Sequence, residues 1–442
     1  MHIAHFIQRY PPALGGSEAY FARLGQYLEE RGDRVTVWTT TAIELEELWK
    51  KPLSPRTAVR GRAIRRYTPM HFPARRYLLK ALSLVPIRPW QCMTMPCNPI
   101  CPAMWRDAGR YDGPLDAVHA AAFPYAFPIL CGLQLARRRG VPFFLTPFLH
   151  LGDPANSRDQ TRRQYLSPQL RWLLRQADCV FVQTQEEYDV VSREAESAEP
   201  SARVILQGLG VDPEECTGGD REGTRMSWGT CGEPVIGHLA NASAEKGTID
   251  LLLAAERAWA AGHRFRVVLA GPEMPAFQEF WKHFICRVDP SRVTRLGVLS
   301  DEAKRDFFAA IDAFALPSRS DSFGLVLLEA WANGKPNLVY RAGGPGELVR
   351  HGIDGLQAAC GNVEELALQL SRLVGDANLR ERLGANGQER VAREFVWDDK
   401  LALVRNEMFS ILASGGRKPP DSSNSNAIKN QGAYAPRSPS AI

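Results

Sequence analysis

Short apolar runs alternate with amphipathic helical segments along most of this 442-residue chain. The first run, His2–Ile7, precedes a Pro/Gly loop and a helix that Ser17 is predicted to cap and Gly32 to end. A second strand is predicted at Arg34–Thr40. Parallel strands need a crossover helix between them, so this alternation predicts an α/β protein with parallel sheets.

The alternation is interrupted once, and the interruption predicts two domains. Residues 208–233 are rich in Gly, Pro and acidic side chains, which favours a hinge. We therefore expect two Rossmann-like parallel-sheet domains that face each other across a cleft, where such sheets bind ligands. The expected parts are a first domain at 1–207 with a basic, poorly periodic insertion at about 43–110, a linker at 208–233, a second domain at 234–395, a helix at 396–413 that crosses back to the first domain, and a disordered tail at 414–442.

Individual strands follow from the apolar runs. Beyond the first two, they are predicted at 116–120, 142–146, 178–183 and 203–206 in the first half, and at 234–239, 265–270, 293–296, 312–316 and 336–340 in the second.

Composition narrows the cellular context. Nine cysteines, an odd number, favour reduced thiols and a cytoplasmic protein. Cys92, Cys97 and Cys101 cluster, but their spacing and the lack of a fourth ligand argue against a metal site. The N-terminus lacks the features of a signal peptide, and no apolar stretch is long enough to span a membrane. A net charge of +5 is mild, and no nucleic-acid partner is expected.

The charge is unevenly distributed. Residues 49–106 contain no Asp or Glu, and aromatic side chains are interleaved with the cations. This stretch either docks on the inner face of an anionic membrane, which would suit a lipid-linked substrate, or packs on the first domain as a solvated basic insertion. Its twelve basic residues are Lys50, Lys51, Arg56, Arg60, Arg62, Arg65, Arg66, Arg75, Arg76, Lys80, Arg88 and Arg106.

The segment 317–336 carries the most chemical information. An apolar strand runs into a polar turn, and a helix is predicted to start near Ser322 with Gly324 in its first turn. Free amides and the helix dipole make such a start an anion site. Asp321 and Glu329 lie eight residues apart on either side of it. Taken alone, they could also be a helix cap and a solvated helix residue.

This segment resembles the Glu-x7-Glu signature of the retaining GT-B glycosyltransferases of family 4. The resemblance implies that Glu329 binds the ribose hydroxyls of a nucleotide and that Asp321 is the catalytic acidic residue that holds hydroxyls of the donor sugar. It also implies that the turn faces the donor diphosphate. Asp321 stands where the family usually has Glu, and Ser replaces the usual Gly after it. The turn residues are Ser322, Phe323, Gly324 and Leu325.

Two further segments resemble donor-binding elements of the same family. Residues 236–247 are similar to its Gly-Arg-Leu-x-x-x-Lys-Gly loop, which implies that Lys246 neutralises the diphosphate. His238 stands at the position of the usual Arg, as a phosphate contact or as a structural histidine. The similarity of residues 296–300 implies that Val298 meets the nucleotide base.

The N-terminal half resembles the family at the cleft. Gly15-Gly16-Ser-Glu18 matches its Gly-Gly-x-Glu loop under the reacting centre. The resemblance implies donor binding by Gly15, a catalytic position for Gly16 and an acceptor contact for Glu18. It also implies that His119 is catalytic at the donor sugar and that His150 lies on the acceptor side, although a lone histidine at a strand end is often structural.

The expected function follows from this resemblance. It is the transfer of a hexose, with retention, from a nucleoside-diphosphate sugar to a glycan or lipid-linked glycan in polysaccharide biosynthesis. No cofactor other than the nucleotide sugar is expected, and no metal, because positive side chains replace it and no Asp-x-Asp motif is present. The donor's own phosphate would assist acceptor deprotonation. Two rivals remain open: a non-catalytic GT-B homologue that binds a partner, and a nucleotide-sugar epimerase on the same fold.

Overall fold

The structure is a computed structural model and describes residues 1–51, 64–197, 201–230 and 232–414. The expectation of a disordered tail at 414–442 therefore falls, apart from Ser414, outside the described residues. The N-terminal sheet consists of β1 (His2–Phe6), β2 (Arg34–Thr40), β3 (Ile64–Tyr67), β4 (Ala117–Ala120), β5 (Phe143–Leu145), β6 (Cys179–Val182) and β7 (Arg203–Leu206). The C-terminal sheet consists of β8 (Val235–Leu239), β9 (Arg266–Ala270), β10 (Val293–Arg295), β11 (Ala313–Leu316), β12 (Asn337–Tyr340) and β13 (Gly355–Ala358).

Both sheets are parallel and doubly wound, as the alternating pattern predicts. The strand orders are β3-β2-β1-β4-β5-β6-β7 and β10-β9-β8-β11-β12-β13. The order reverses between β1 and β4 in the first sheet and between β8 and β11 in the second. Loops that leave the carboxyl ends of strands diverge at such a reversal and leave a crevice for a ligand. The loops after β1, β8 and β11 carry Gly15, Lys246 and Asp321.

Helices cover the faces of both sheets because each buries an apolar stripe against the strands. In the first half, these are α1 (Gly16–Glu30), α2 (Arg75–Leu82), α3 (Arg88–Met93), α4 (Pro102–Arg110), α5 (Ala126–Arg139), α6 (Gln160–Tyr165), α7 (Pro168–Leu174) and α8 (Gln185–Ala195). The later helices are α9 (Pro213–Cys216), α10 (Arg221–Ser227), α11 (Thr248–Ala260), α12 (Pro275–Phe284), α13 (Asp301–Ala310), α14 (Leu325–Ala332), α15 (Gly343–Leu348), α16 (Val363–Gly375), α17 (Ala377–Glu394) and α18 (Trp397–Ala413).

The stretch 43–110 is more regular than its sequence suggests. The expectation of an irregular insertion is wrong for its described part, which contributes an edge strand, β3, and the helices α2, α3 and α4. The side chains of Cys92, Cys101 and Met104 are fully buried in the first domain's core. The buried apolar side chains of β3, α2, α3 and α4 are few and are spread over short elements, so the sequence of this stretch shows no clear periodicity. Strand β13, the other edge strand missed from sequence, contains only Gly-Leu-Gln-Ala.

The last helix, α18, packs against α1 of the first domain. The Arg405 guanidinium donates to the Asp33 carboxylate at 2.7 Å, and the same carboxylate accepts from the terminal amine of Met1 at 2.7 Å. The Asp398 carboxylate also pairs with Arg31 at 3.3 Å. These contacts attach the chain's last described helix to its first strand and first helix.

The cysteines of the described residues are free thiols. Within the same residues, no helix combines the length and the apolar character needed to cross a membrane. The described His, Cys, Asp and Glu side chains form no group of three that could hold a metal ion.

Candidate functional site

Two loops of the C-terminal domain bring Lys246 and Asp321 together. The Lys246 ammonium lies 2.5 Å from the Asp321 carboxylate. Lys246 ends the loop after β8, and Asp321 lies in the loop after β11. Gly247 permits this approach: it has φ 72°, and a side chain there would overlap the carbonyl of Pro317. The sequence-predicted pair therefore meets at the switch point of the second sheet.

The electrostatics of Asp321 favour its ionised form. Burial raises the pKa of this carboxyl, but the nearby Lys246 and His150 together lower it by more than burial raises it. The net effect is a pKa below the usual value. The backbone amide of Ser322 adds a hydrogen bond in the same direction. At neutral pH, the site thus holds one carboxylate beside one ammonium.

His150 approaches this pair from the N-terminal domain. Its ring stacks on Tyr165 with centroids 4.9 Å apart and interacts with the backbone of Ser320. Burial lowers the pKa of His150 to about 4, so the imidazole is neutral at physiological pH. The two domains also touch beside it, where the Gly343 amide donates to the Gly152 carbonyl at 2.7 Å. Residues expected on the donor and acceptor sides are therefore brought together.

Glu329 lies on α14, about one helical turn after its first residue, Leu325. Its Oε1 accepts from the Lys304 ammonium at 2.6 Å, whereas its buried Oε2 has no partner in the described chain. Burial raises the pKa of Glu329, and Lys304 offsets this only in part, so the net pKa is above the usual value. The free oxygen is an acceptor without a donor, which is the arrangement that a hydroxyl-bearing ligand would complete.

A cavity of about 510 Å³ adjoins Glu329 and is formed by both domains and the linker. Residues of α1, of the segment 210–216, of α13, of α14 and of α18 meet around it. Its lining consists of Ala19, Arg23, Gly210, Val211, Asp212, Glu215, Cys216, Asp301, Lys304, Arg305, Leu325, Glu329 and Trp397.

The turn between Asp321 and α14 differs slightly from the sequence expectation. The helix begins at Leu325, and Gly324, with φ 87°, occupies the position before it. Phe323 buries its ring, whose centroid lies 6.2 Å from that of Phe395. Only the backbone of Phe323 can therefore face a ligand. The Gly344 amide donates to the Asp321 carbonyl at 2.9 Å and fixes the start of this turn.

His238 is a structural histidine here. Its ring is fully buried, with Nδ1 2.8 Å from the Ala315 carbonyl and Nε2 2.8 Å from the Thr248 hydroxyl. Both ring nitrogens are occupied by the protein, and burial lowers the pKa of the imidazole to about 4. The alternative of a phosphate contact is therefore contradicted. The histidine ties β8 to β11 and to α11.

His119 also lies in the core. Its fully buried ring packs between His5, with centroids 5.6 Å apart, and Phe21, with centroids 4.8 Å apart. Its Nε2 is 2.8 Å from the Thr146 hydroxyl. The side chain packs against Phe21 of α1 in the core, and its Nδ1 has no hydrogen-bond partner among the described residues. The contact with the donor sugar stays a prediction.

The Gly-Gly loop forms the start of α1. Gly15 and Gly16 are exposed, and the helix begins at Gly16, one residue before the expected cap, Ser17. Glu18 is buried and pairs with Arg9 at 2.8 Å, so its carboxylate holds the loop in place and is not available to an acceptor. The expectation of an acceptor contact for Glu18 is contradicted by this burial. The two glycines leave the first-turn amides of a fifteen-residue helix accessible.

Val298, expected at the nucleotide base, is 58% exposed on a loop after β10 and does not line the cavity.

Some residues of the site gave no usable signal in the sequence. Lys304, Arg23 and Tyr165 do contact or line the site. Each looks like an ordinary surface-helix residue in the sequence, because the partner that defines its role is distant along the chain.

Two families match the chain in succession. Residues 15–206 match the family described as "Glycosyl transferase 4-like domain", and residues 223–390 match "Glycosyl transferases group 1". The boundary between the matches coincides with the segment that separates the two sheets.

Individual relatives agree with this assignment. The chain is 27% identical over 427 residues to the 2-deoxystreptamine N-acetyl-D-glucosaminyltransferase of Streptomyces fradiae, covering 91% of this chain and 93% of that protein. It is 33% identical over 124 residues to the uncharacterized glycosyltransferase MJ1178 of Methanocaldococcus jannaschii, covering 28% of this chain and only 35% of that protein.

Solved structures share the fold. A sucrose-phosphate synthase from Thermosynechococcus elongatus superposes with a TM-score of 0.69 at 21% identity, covering 93% of this chain and 99% of that one. HepE from Anabaena in complex with UDP-glucose superposes with a TM-score of 0.64 at 20% identity, covering 94% and 100%. With two parallel-sheet domains and two consecutive family matches, the chain belongs to the GT-B glycosyltransferases.

Proposed function

We propose that this chain transfers a hexose, with retention of configuration, from a nucleoside-diphosphate sugar to a glycan or lipid-linked glycan. The observation that carries the proposal is the convergence of Lys246, Asp321 and His150 at the facing edges of the two sheets. The Lys246 ammonium can pair with a phosphate, and the Asp321 carboxylate can accept hydrogen bonds from sugar hydroxyls. Together with the neutral His150 imidazole from the opposite domain, they suit a ligand that carries both groups.

The nucleotide end is assigned to Glu329. Its unpartnered Oε2 adjoins the interdomain cavity, and Lys304 orients the carboxylate through Oε1. A carboxylate oxygen that lacks a donor in the free protein can accept hydrogen bonds from ribose hydroxyls. A hydrogen bond to a charged group contributes about 1.5–3 kcal/mol, so this contact alone would be measurable.

The diphosphate and sugar are assigned to the neighbouring turn. The Lys246 ammonium would turn from Asp321 towards the diphosphate, and the helix starts of α1 and α14 would add partial positive charge. Asp321, ionised and partly released by Lys246, would then hold sugar hydroxyls. Catalysis would rest on positioning and on stabilising the departing diphosphate.

A metal ion is not needed for this arrangement, since Lys246 and two helix starts supply the positive charge. A protein general base is not needed either, if an oxygen of the departing phosphate accepts the acceptor's proton. His150 could contribute a hydrogen bond in its neutral form, with Tyr165 stacked behind it to orient the ring. These two side chains form the acceptor side of the proposed site.

Thermal unfolding with nucleotides tests the proposal. UDP is the first choice because the HepE complex contains UDP-glucose, and GDP and ADP follow. A nucleotide at about 100 times its Kd stabilises a protein by roughly 2.7 kcal/mol, so the midpoint should rise by several degrees. The Glu329→Ala variant should lose this response. If no nucleotide shifts the wild type, a donor site is excluded under those conditions.

Turnover separates the proposed enzyme from its rivals. With the matching nucleotide sugar and an acceptor, the protein should release the nucleoside diphosphate and form a product with the donor's anomeric configuration. A non-catalytic homologue would bind the nucleotide without releasing it from the sugar. An epimerase would consume the nucleotide sugar in the absence of any acceptor saccharide.

A further inference from the structure

A helical hairpin on the N-terminal domain concentrates exposed apolar side chains. The 76–90 hairpin comprises α2 from Arg76 on, the turn after it and the start of α3. Six of the fifteen exposed large apolar side chains of the described residues lie there, and Tyr77 and Leu84 are 78% and 79% exposed. Clusters of this kind mark interaction surfaces, whereas single exposed apolar residues do not. The six are Tyr77, Leu78, Leu84, Val85, Ile87 and Trp90.

The exposure is built into the fold. On the inner side of the hairpin, Leu79 and Cys92 are buried in the domain. The Trp90 indole N–H donates to the Leu82 carbonyl at 2.8 Å, and the Gln91 amide donates to the Ser83 carbonyl at 3.1 Å, which closes the two helices on each other. The apolar side chains are therefore held outward by hydrogen bonds and not exposed by fraying.

The same surface is basic. Arg76, Lys80 and Arg88 are exposed on the hairpin, and the sequence from Trp49 to Arg106 contains no acidic residue to balance them. Apolar side chains mixed with uncompensated cations fit the headgroup region of an anionic bilayer, where acyl chains and phosphates lie within one side-chain length of each other.

A basic cavity of about 410 Å³ opens beside the hairpin. The Arg171 and Arg175 guanidinium groups share the Glu194 carboxylate at 2.7 and 2.9 Å, and Arg88 adds a third guanidinium to the lining. The lining thus contains three guanidinium groups and no acidic side chain, and the guanidinium fork matches phosphate oxygens. The lining consists of Arg88, Leu166, Pro168, Arg171, Trp172 and Arg175.

We propose that the 76–90 hairpin docks on an anionic lipid bilayer, with its apolar side chains among the acyl chains and the basic cavity on a lipid phosphate. Docking of the hairpin on a bilayer does not require the transfer reaction. One consequence does rest on the proposed function. Leu166 of the cavity follows Tyr165, whose ring stacks on His150, so docking would hold the acceptor side of the cleft near the lipid surface.

Vesicle flotation of the full chain tests this docking. The wild type should float with phosphatidylcholine vesicles that contain about 30% phosphatidylglycerol, bind weakly to pure phosphatidylcholine, and dissociate as salt is raised. Leu84→Ser with Ile87→Ser should reduce binding at least about tenfold. Lys80→Gln with Arg88→Gln should reduce it about fivefold per charge. Met226→Ser with Leu368→Ser, a matched change of exposed apolar residues elsewhere, should leave it unchanged.

Three results would overturn the proposal. They are a wild type that does not float with anionic vesicles, hairpin variants that float as well as the wild type, and a Met226/Leu368 control that loses as much binding as they do. A second copy of the chain is the competing occupant. It would be revealed by light scattering as a dimer that the Leu84/Ile87 variant converts to a monomer. The Tm of each variant, measured without nucleotide, checks that it is folded. The shift of Tm with nucleotide is a separate readout: its absence would contradict the donor site and leave the docking result unaffected.

Discussion

Lys246 and Asp321 lie 75 positions apart in the sequence, and their charged groups meet at 2.5 Å at the switch point of the C-terminal sheet. His150 faces them from the other domain. The pair neutralises itself in the free protein. A donor diphosphate would compete with Asp321 for the ammonium, so binding and release of the carboxylate for the sugar would be coupled.

Replacement of Asp321 should separate binding from turnover. In Asp321→Asn, the amide can still accept one hydrogen bond but carries no charge, so kcat should fall about 100-fold. The Kd for the nucleoside diphosphate should stay the same or decrease, because Lys246 is released from its ion pair with Asp321. Steady-state kinetics and calorimetry measure the two effects. Asp321→Glu, which introduces the acid usual in the family, should retain most activity. Equal losses in both variants would contradict a role for the carboxylate charge.

The two acidic residues should affect stability with opposite signs. The pKa of Asp321 is lowered in the folded protein, so its stabilising contribution is present above the unfolded pKa and is lost as pH falls through the folded pKa. The pKa of Glu329 is raised, so its ionised form costs stability at neutral pH. At pH 7, without ligand, Asp321→Asn should lower Tm, and Glu329→Gln should leave it equal or higher. Thermal unfolding between pH 4 and 8 measures the Tm change of each variant. A clear loss of Tm in Glu329→Gln would contradict a destabilising, ionised Glu329 in the free protein.

Lys304 should set the pH dependence of nucleotide binding. Without its ammonium at 2.6 Å, the pKa of Glu329 would rise further, and less of the carboxylate would be ionised at neutral pH. Lys304→Met should therefore weaken nucleotide binding about tenfold at pH 7 and recover part of the loss as pH increases. Calorimetric titration at several pH values measures this. Lys282→Met, which removes an exposed lysine paired with Glu279, should bind like the wild type at every pH.

The two glycines of the first loop offer a matched pair. A side chain at Gly15 would collide with the Glu18 carboxylate, which Arg9 holds in place, whereas a side chain at Gly16 would meet open space. Gly15→Ala should lower both Tm and activity. Gly16→Ala should keep the wild-type Tm, so any activity it loses reports on the approach of the substrate. Thermal unfolding with kcat/KM decides, and a destabilised Gly16→Ala would contradict this geometry.

His150 should act as a neutral group. Burial lowers its pKa to about 4, so its charge does not change between pH 5.5 and 8.5. The His150→Gln variant should lower kcat/KM by about tenfold at every pH in that range and leave the shape of the pH profile unchanged. If the wild-type profile has a limb near pH 6.5 that the variant lacks, the imidazole titrates during turnover and the assignment is wrong.

The sequence pattern was most informative for elements that are apolar along their own length. The central strands β1, β8 and β11 were predicted within one residue at each end, because buried parallel strands are short continuous apolar runs. The edge strand β3 was missed. It reads Ile-Arg-Arg-Tyr, and Arg65 is accommodated there by lying 4.8 Å from the centroid of the Trp38 ring, a contact that no local pattern contains.

Some residues of the site were indicated by the sequence, whereas others were identified only by the tertiary structure. Resemblance to the family's motifs indicated Lys246, Asp321 and Glu329, and the fold brings Lys246 and Asp321 together because loops at the carboxyl ends of neighbouring parallel strands converge. The resemblance could not decide in which direction a side chain at a strand end points. His119 and His238 therefore proved to be core histidines, and Lys304 emerged as the partner of Glu329. The chain's own periodicity determines which segments become strands and helices, whereas burial and pairing depend on residues far apart in sequence, which only tertiary packing brings together.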